Sequence, residues 1–376
     1  MTTSGVTKRT IPEVLQAAAE LDPSGLWLRT DDCRLTFGAA YIWVVRSAAR
    51  LEARGIRHRD LVVLTARNTP DYLITLLALC SLGAIAVPTN PASSQAELHG
   101  LIAQINARTV ISDAELLPLL TRIPDQDRPL FDAVDVRDIV DGQPDSAHLE
   151  MSAASAAQLL HVVEPDDVAV LIPTSGTTGR SKLVTQTHRA YAMAAEGFPY
   201  WMSLTRDDVL MTSLPLFHIN APAYSVLGSL ACGAGLVLLP RFSASGFIDA
   251  ARRHGATEFN AIGAMLEMLM RQPERVDDAD TTLRLCYTGP APTRERQEEI
   301  ERRFGLQIVC GYALSESPYG LIWPHGSRPF GTLGTPRQHP RLSAVNEARV
   351  VDDDGGDVPV GETGELLLRN PALTPG

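Results

Sequence analysis

Hydrophobic residues in the first third of the chain occur in two kinds of run, and these runs alternate. Short runs that are apolar throughout predict strands buried on both faces, whereas longer runs with one apolar face predict amphipathic helices. The predicted helices cover residues 11–21, 36–54, 69–82 and 95–106, and the predicted strands cover residues 61–65, 84–88 and 109–112. This alternation is typical of parallel βαβ units.

The alternation returns after residues 114–166, where scattered Pro, Asp and Ser predict a surface connection with one or two short elements. Strands are predicted at residues 168–172, 183–187, 209–213, 236–239, 258–261, 283–287 and 307–309. Helices are predicted from about residue 189 and at residues 223–231, 244–254, 264–271 and 294–304. From about residue 325, short β-prone runs between Pro and Gly predict a small β-rich unit.

These patterns predict an α/β protein with two doubly wound, mostly parallel sheets, helices on both faces and a small β-rich subdomain. We expect a first α/β subdomain with its connecting segment at residues 1–165 and a second at residues 166–324. The β-rich subdomain would begin at residue 325 and reach residue 376. The second α/β subdomain would carry the loop with the most distinctive chemistry.

That loop is rich in glycine and hydroxyl residues, and it follows the strand predicted at residues 168–172. Its glycines let backbone N–H groups point inward at one spot, and Lys182 adds a positive charge, so the loop is suited to bind phosphate. It is not a Walker A loop, because Lys182 lies three residues after Gly179 and a strand is predicted next. The residues predicted to bind are Thr174, Ser175, Gly176, Thr177, Thr178, Gly179 and Lys182.

An inert surface loop has the same composition, so composition alone does not decide between the two interpretations. The use of lysine favours the phosphate site. The chain has 33 Lys plus Arg, yet Lys8 and Lys182 are its only lysines. A compact, flexible ammonium suits a phosphate chain whose charge moves during a reaction better than a rigid guanidinium does.

Three further clusters follow predicted strands. They comprise Phe217, His218 and Asn220; then Gly289, Pro290 and Ala291; then Gly311, Tyr312, Ala313, Ser315 and Glu316. In open α/β sheets ligands bind at the carboxyl ends of the strands, so we expect these clusters to meet at one edge. An aromatic ring, a hydroxyl and a carboxylate are the groups needed to stack a base, contact phosphate and hold Mg²⁺. Each cluster alone also has an ordinary structural explanation, such as a hydrogen-bonded His or a tight turn.

Bulk properties narrow the classes of partner and compartment. The formal net charge of -11 argues against nucleic acid or an anionic membrane as the main partner. The five cysteines form no C-x-x-C pair, which indicates a reduced compartment and no zinc site. No apolar stretch is long enough to span a membrane, and the first residues lack a hydrophobic signal core, so a cytoplasmic location is expected.

Together these motifs resemble those of the adenylate-forming superfamily, which includes acyl- and aryl-CoA synthetases, luciferases and nonribosomal adenylation domains. TSGTTGRSK at residues 174–182 is similar to the family's S/T-S-G-T-T-G-x-P-K-G phosphate loop, and GYALSE at residues 311–316 resembles Y-G-x-T-E. GETGEL at residues 361–366 and the stretch at residues 68–91 also resemble family blocks. The resemblance extends from about residue 35 to residue 376.

The resemblance implies that a carboxylic acid and ATP give an acyl-adenylate and pyrophosphate, after which the thiol of CoA displaces AMP. It implies ATP or acyl-AMP, Mg²⁺ and CoA as ligands, with Lys182, His218 and Glu316 as catalytic residues and Glu316 on the metal. Gly289, Pro290, Ala291 and Tyr312 would frame the adenine, with Ala313 beside them and Ser315 near the α-phosphate. The acid pocket would contain Phe217, Asn220, Ile262, Gly263 and Gly311.

The sequence departs from the family at several positions. Ser181 replaces the usual Pro of the loop and Leu183 the usual Gly, so loop rigidity and phosphate access are expected to differ. Amino-acid-activating relatives place an Asp near Phe217, where this sequence has none, which favours a non-amino acid. The family's later T-G-D segment, hinge and mobile C-terminal domain are not in this sequence, so poor adenylation by this chain alone is expected.

Three interpretations stay open at this point. The first is the large portion of an AMP-forming acyl-CoA ligase, with its C-terminal domain either deleted or supplied separately. The second is a ligase that acts on preformed acyl-AMP and performs only thioester formation. The third is a non-catalytic module that binds AMP or acyl-AMP.

Overall fold

The computed structural model describes residues 9–121, 131–140, 163–174, 182–324 and 326–376. Within these ranges the strands form a nine-stranded sheet, a six-stranded sheet and a two-stranded hairpin. In chain order they are β1 (Leu26–Arg29), β2 (Arg34–Thr36), β3 (Leu61–Thr65), β4 (Ile85–Pro88), β5 (Thr109–Ser112), β6 (Asp132–Asp135), β7 (Val168–Thr174), β8 (Lys182–Thr187), β9 (Val209–Thr212), β10 (Gly235–Leu238), β11 (Glu258–Ile262), β12 (Leu285–Gly289), β13 (Gln307–Leu314), β14 (Ser317–Ile322), β15 (Thr335–Pro336), β16 (Glu347–Val351) and β17 (Glu365–Arg369).

The helices pack against these sheets. They are α1 (Ile11–Leu21), α2 (Phe37–Ala53), α3 (Pro70–Leu82), α4 (Gln95–Ile105), α5 (Leu117–Thr121), α6 (Val136–Val140), α7 (His188–Met202), α8 (Leu227–Cys232), α9 (Phe247–His254), α10 (Gly263–Met270) and α11 (Arg294–Phe304), with a π-helix at Ala221–Val226 before α8. In the part of the chain that the structure describes, none of the helices has the length and apolar character needed to cross a membrane.

The six-stranded sheet has the order β6-β5-β3-β4-β7-β8, and β8 is its antiparallel member. Strand β3 shows why an all-apolar run forms a central strand. Val62 and Leu64 face the large core, whereas Val63 faces a smaller core covered by Leu98 and Leu101 of α4. Because successive side chains point to opposite faces, both faces need apolar residues.

The nine-stranded sheet has the order β15-β14-β13-β12-β11-β9-β10-β1-β2, with a parallel centre and antiparallel strands at both edges. One continuous apolar core joins the two sheets through the helices between them. Val44 of α2, Ile74 of α3 and Met193 of α7 are fully buried in it. The predicted class of two mostly parallel sheets with helices on both faces is confirmed.

Helix starts follow local capping chemistry. The helices predicted from residues 36 and 69 begin one residue later, at Phe37 and Pro70, because the preceding threonines are caps. The Thr36 hydroxyl accepts a hydrogen bond from the Ala39 N–H at 3.1 Å, and the Thr69 hydroxyl accepts one from the Tyr72 N–H at 3.2 Å. These bonds satisfy amides that the helix leaves unpaired.

Two pairs of strands belong to a different sheet from the one expected when the chain is divided into two α/β subdomains at residue 165. Strands β7 and β8, which flank the glycine-rich loop, belong to the first sheet, since β7 pairs with β4. Conversely, β1 and β2 lie near the start of the chain but pair at the edge of the second sheet, where β1 lies parallel to β10. Both corrections rest on pairings between distant segments, which a local pattern does not encode.

Two predicted elements have different extents. The strand predicted at residues 307–309 continues to Leu314, because its second half pairs antiparallel with β14 after its first half has paired parallel with β12. The prediction that Gly311 follows the end of a strand was therefore wrong. The helix predicted at residues 223–231 begins earlier, as the π-helix Ala221–Val226, and becomes α-helical at Leu227.

Candidate active site

Four chain segments meet at one edge of the nine-stranded sheet. The neighbouring strands β9, β11, β12 and β13 run parallel, so their carboxyl-terminal ends lie side by side. The segments that follow or complete these strands carry the clusters singled out in the sequence. A switch from parallel to antiparallel pairing within β13 keeps residues 311–314 against this edge instead of leading the chain away.

A cavity of about 490 Å³ lies between these segments, a volume typical of small-molecule sites. Ile219, Tyr224, Ala261, Tyr287, Leu314 and Leu333 also line it. Among the predicted site residues, those that line it are His218, Asn220, Ile262, Gly289, Pro290, Gly311, Tyr312, Ala313 and Ser315. Phe217, Gly263, Ala291 and Glu316 are their chain neighbours but do not line the cavity itself.

The glycine-rich loop connects two antiparallel strands, in agreement with the predicted strand–loop–strand pattern. Thr174 lies opposite Lys182 at the end of this hairpin, and its hydroxyl donates to the Lys182 carbonyl at 3.4 Å. The Lys182 side chain is exposed. Ser175, Gly176, Thr177, Thr178 and Gly179 lie outside the described residues, so their predicted role stays a prediction.

Two amide side chains attach the first sheet to the site. Gln186 of β8 is fully buried and donates to the Ser315 carbonyl at 2.5 Å. Asn68 donates to the Leu214 carbonyl at 2.8 Å and accepts from the Leu216 N–H at 3.0 Å. Neither Gln186 nor Asn68 was predicted from the sequence to contribute to the site. The available signal was that Gln186 shares a strand face with buried Val184, where an apolar residue is expected.

His218 lies at the wall of the cavity and packs against Phe217, with ring centroids 4.6 Å apart. Its backbone N–H donates to the Pro215 carbonyl at 3.1 Å, which fixes the turn before the π-helix. Although part of the side chain is exposed, the surrounding protein desolvates the ring and lowers the pKa of His218 below its usual value. The lowered pKa favours the neutral imidazole, so at pH 7 the ring is available as a hydrogen-bonding group and not as a cation.

Gly289 and Gly311 lack side chains for different reasons. A Cβ on Gly289 would lie 2.5 Å from the carbonyl oxygen of Gly311 on the next strand, so close approach of the two backbones requires glycine there. A Cβ on Gly311 would lie 2.8 Å from both the Tyr287 hydroxyl and an Arg337 nitrogen. Glycine at residue 311 thus allows the Tyr287 and Arg337 side chains to pack directly against the backbone of β13.

Glu316 follows the cavity wall and has an exposed side chain. Its backbone carbonyl accepts from the Thr374 N–H at 2.7 Å, which places the end of the described chain against this turn. No group of three or more His, Cys, Asp or Glu residues in the described ranges is arranged to hold a metal. One free carboxylate still fits Mg²⁺, which usually takes one or two carboxylates together with substrate phosphates.

Tyr224 and Tyr287 of the cavity wall form a polar cluster with Arg337, which lies behind that wall, and this cluster was not predicted from the sequence. Arg337 is fully buried, and its Nε donates to the Leu321 carbonyl at 3.2 Å. One terminal nitrogen donates to the Tyr224 hydroxyl at 2.6 Å and to the Pro318 carbonyl at 3.0 Å, and the other donates to the Tyr287 hydroxyl. Within the described residues no carboxylate pairs with this guanidinium.

Comparison with known proteins adds family information. A family model described as AMP-binding enzyme matches residues 15–376. The chain is 29% identical over 331 residues to the crotonobetaine/carnitine–CoA ligase of Salmonella heidelberg, covering 86% of this chain and 63% of the relative. The corresponding Escherichia coli protein is 28% identical, with the same coverage of 86% and 63%. The chain therefore spans just under two thirds of the length of these relatives.

Solved structures support the same fold. An anthranilate CoA ligase in complex with anthranoyl-AMP has a TM-score of 0.84 at 22% identity, covering 98% of this chain and 71% of that chain. The N-terminal domain of FACL13 from Mycobacterium tuberculosis has a TM-score of 0.81 at 26% identity, covering 98% and 90%. The overall fold of this chain is thus one that these proteins share.

Proposed function

The chain belongs to the AMP-binding enzyme family, and from this premise we propose that it is the large portion of an AMP-forming acyl-CoA ligase. In this reaction a non-amino carboxylic acid and ATP form an acyl-adenylate and pyrophosphate, and the thiol of CoA then displaces AMP. The proposal rests on the observation that residues from all three strand-end clusters and from the end of β11 line one and the same cavity.

The nucleotide would lie at the rim of this cavity. Gly289 and Pro290 at the end of β12 would face the adenine, together with Ala291 and the ring of Tyr312. Ser315 would contact the α-phosphate, because Gln186 holds its backbone beside the strand that ends the phosphate loop. The hydroxyls and amides of residues 174–179 and the ammonium of Lys182 would bind the remaining phosphates.

Glu316 is the residue proposed to hold Mg²⁺. Its carboxylate is exposed and has no ion-pair partner in the described ranges, so its oxygens are available to a hard cation. The metal, when bound, supplies charge neutralisation at the phosphates. The chain's own part is to keep the carboxylate beside Ser315, which the Gln186 contact and the Thr374 contact both support.

The acid would occupy the inner part of the cavity, bordered by His218, Asn220, Ile262 and Gly311. Neutral His218 would donate a hydrogen bond to a carboxylate oxygen and would limit access of water. The described cavity wall contains no Asp or Glu, so nothing there would pair with a substrate ammonium. This supports an acid without an α-amino group.

The alternative in which the protein uses preformed acyl-AMP rests on the altered loop. Leu183 occupies a strand position opposite Pro173 and packs against the smaller core, where the family motif has glycine. A fixed strand at this point would restrict how the loop closes over a triphosphate. The third alternative, a module that only binds AMP or acyl-AMP, requires the same cavity without turnover.

Three assays on the same protein separate these functions. Acid-dependent pyrophosphate exchange tests adenylation, thioester formation from synthetic acyl-AMP and CoA tests the second step, and calorimetric titration with AMP and acyl-AMP tests binding. We expect binding and at least one turnover reaction. Replacing Lys182 with Ala is expected to weaken ATP-dependent turnover, and unchanged turnover would argue against phosphate binding by the loop. Absence of binding by AMP and by every acyl-AMP tested would overturn the proposal.

A further inference from the structure

Arg337 is unusual because it is fully buried beside the cavity and no carboxylate of the described residues neutralises it. Its donors reach two phenol oxygens and two backbone carbonyls. Its guanidinium also lies over aromatic rings, with Cζ 4.5 Å from the Trp201 centroid. Burying a charge is costly unless opposite charge accompanies it, and the described residues supply none.

Tyr287 connects this charge to the cavity. It lies two residues before Gly289 on the same face of β12, about 7 Å deeper than the rim. Its hydroxyl accepts the hydrogen bond from Arg337, and no described residue accepts the hydroxyl's own proton. Tyr287 lines the cavity, and both it and Arg337 pack directly on the backbone of Gly311, where a Cβ would lie 2.8 Å from both polar groups.

Tyr224 is a second tyrosine at the same wall, but its proton is already used. Its hydroxyl donates to the Pro318 carbonyl at 2.6 Å while it accepts from Arg337. Tyr224 therefore has no donor left for a ligand, whereas Tyr287 has one. The two phenols form a matched pair that differs in this respect.

We propose that Tyr287, polarised by Arg337, recognises an oxygen acceptor at the far end of the substrate acid, and that the preferred group is a second carboxylate. This inference rests on the proposed function, because it assigns the inner part of the cavity to the acyl group. Tyr287 is the contacting residue and Arg337 is a positioning residue that acts through it. A positively charged end group would meet the guanidinium charge and is rejected.

The test uses non-hydrolysable acyl-AMP mimics with acyl chains of matched length. Their far ends are a methyl group, a carboxylate or a trimethylammonium group, and binding to the full chain is measured by calorimetry. We expect the carboxylate mimic to bind about tenfold or more tightly than the methyl mimic, as for a hydrogen bond to a charged group. The trimethylammonium mimic is expected to bind most weakly.

Tyr287→Phe keeps the ring and removes the donor. It is expected to reduce the preference for the carboxylate mimic to about twofold or less while the methyl mimic binds as before. Tyr224→Phe is the matched control and is expected to keep the preference. Arg337→Met is expected to lose the preference and Arg337→Lys to restore part of it, which a merely structural role would not produce.

The outcomes separate the two proposals. Equal binding of the methyl and carboxylate mimics, or a preference that survives in Tyr287→Phe, overturns the assignment of the end group and leaves the ligase proposal standing. Failure of AMP and of every mimic to bind overturns both. Loss of the preference in Tyr224→Phe but not in Tyr287→Phe also overturns the assignment.

Discussion

Two buried side chains of opposite charge, Glu196 and Arg337, are accommodated in different ways by the same short segment of chain. Residues 337–341 supply Arg337 itself and two partners of Glu196, namely His339 and Arg341. Glu196 lies 2.9 Å from His339 Nε2, 3.5 Å from Arg9, and also pairs with Arg341. Arg337 has phenols and carbonyls in place of a carboxylate.

The two arrangements differ in their consequences for protonation. Burial opposes ionisation of Glu196, but the hydrogen bond from His339 and the pair with Arg341 hold its pKa at about 2. Burial likewise opposes the charge of Arg337, while the phenol oxygens of Tyr224 and Tyr287 raise its pKa. Glu196 is neutralised within the protein and serves stability. Arg337 is charged and has no carboxylate partner in the described part of the chain, and it lies next to a cavity that a ligand can enter.

The largest expected effect comes from breaking the neutralised cluster. Glu196→Gln is expected to lower the free energy of unfolding at pH 7 by about 3 kcal/mol, because Arg9, Arg341 and His339 lose the buried carboxylate that they contact. Urea denaturation measures it, and the exposed Glu295→Gln is a control expected to change stability by less than about 0.5 kcal/mol. A loss below about 1 kcal/mol would mean that the cluster behaves like a surface pair.

The same cluster predicts a pH dependence with a definite sign. The folded pKa of Glu196, about 2, lies below the ordinary value of 4.5, so its stabilisation is present above about pH 4.5. It is lost as the pH falls from there toward 2. The difference in unfolding free energy between wild type and Glu196→Gln should therefore shrink over this range. A constant difference from pH 7 to pH 3 would contradict this interpretation.

Crowding Tyr287 and Arg337 with a side chain at residue 311 is expected to have the next largest effect. In Gly311→Ala the added Cβ would lie 2.7–2.8 Å from the Tyr287 ring and hydroxyl and from an Arg337 nitrogen. Overpacking of this kind costs about 2 kcal/mol, and it should also weaken binding of every acyl-AMP mimic. Gly100→Ala is the control, since no atom lies within 4 Å of its added Cβ. Stability and binding at wild-type level in Gly311→Ala would show that Tyr287 and Arg337 move aside without cost, so that the close packing on Gly311 is not required.

The elements and clusters described above differ in how far they could be predicted from the sequence. Apolar periodicity identified strand β3 and the helices α2 and α3, because this signal is local, but it placed both helix starts one residue early, at the capping threonines. The clusters around His218 and Gly289 were found because they follow strands directly. The polar cluster was not predictable, since Tyr224, Tyr287 and Arg337 come from three distant segments and each is unremarkable in its local context.

The same limit applies to sheet membership. Strand β1 pairs with β10, which lies some two hundred residues away in sequence, and β7 pairs with β4 in the first sheet. Each strand was short and apolar enough to fit either sheet. Gln186 and Asn68, which attach the first sheet to the site, depend on that assembly and have no local motif. Residues of the cavity that follow strands were therefore predictable from local sequence, whereas residues brought to it by pairing between distant segments were not.

Removing the charge of Arg337 is expected to cost less than breaking the Glu196 cluster. Arg337→Met keeps the volume and leaves no carboxylate unpaired, so we expect a loss of about 1.5 kcal/mol, from the hydrogen bonds to Tyr287 and the carbonyls. Urea denaturation beside Glu196→Gln tests the order of the two effects. A larger loss in Arg337→Met than in Glu196→Gln would mean that Arg337 is held mainly for stability, and the contrast between the two sites would fail.

The smallest expected effect on stability is that of Tyr224→Phe, which tests whether the phenols stabilise the charge of the Arg337 guanidinium. Tyr224→Phe removes a hydroxyl that bonds both Arg337 and the Pro318 carbonyl, at an expected cost of about 1 kcal/mol. If the phenol oxygen stabilises the charge, part of that cost disappears once Arg337 is Met. A double-mutant cycle should then give a coupling of about 0.5–1 kcal/mol. Strict additivity would show that the phenol and the guanidinium are neighbours without energetic dependence, and that the buried charge relies on the backbone carbonyls and the Trp201 ring.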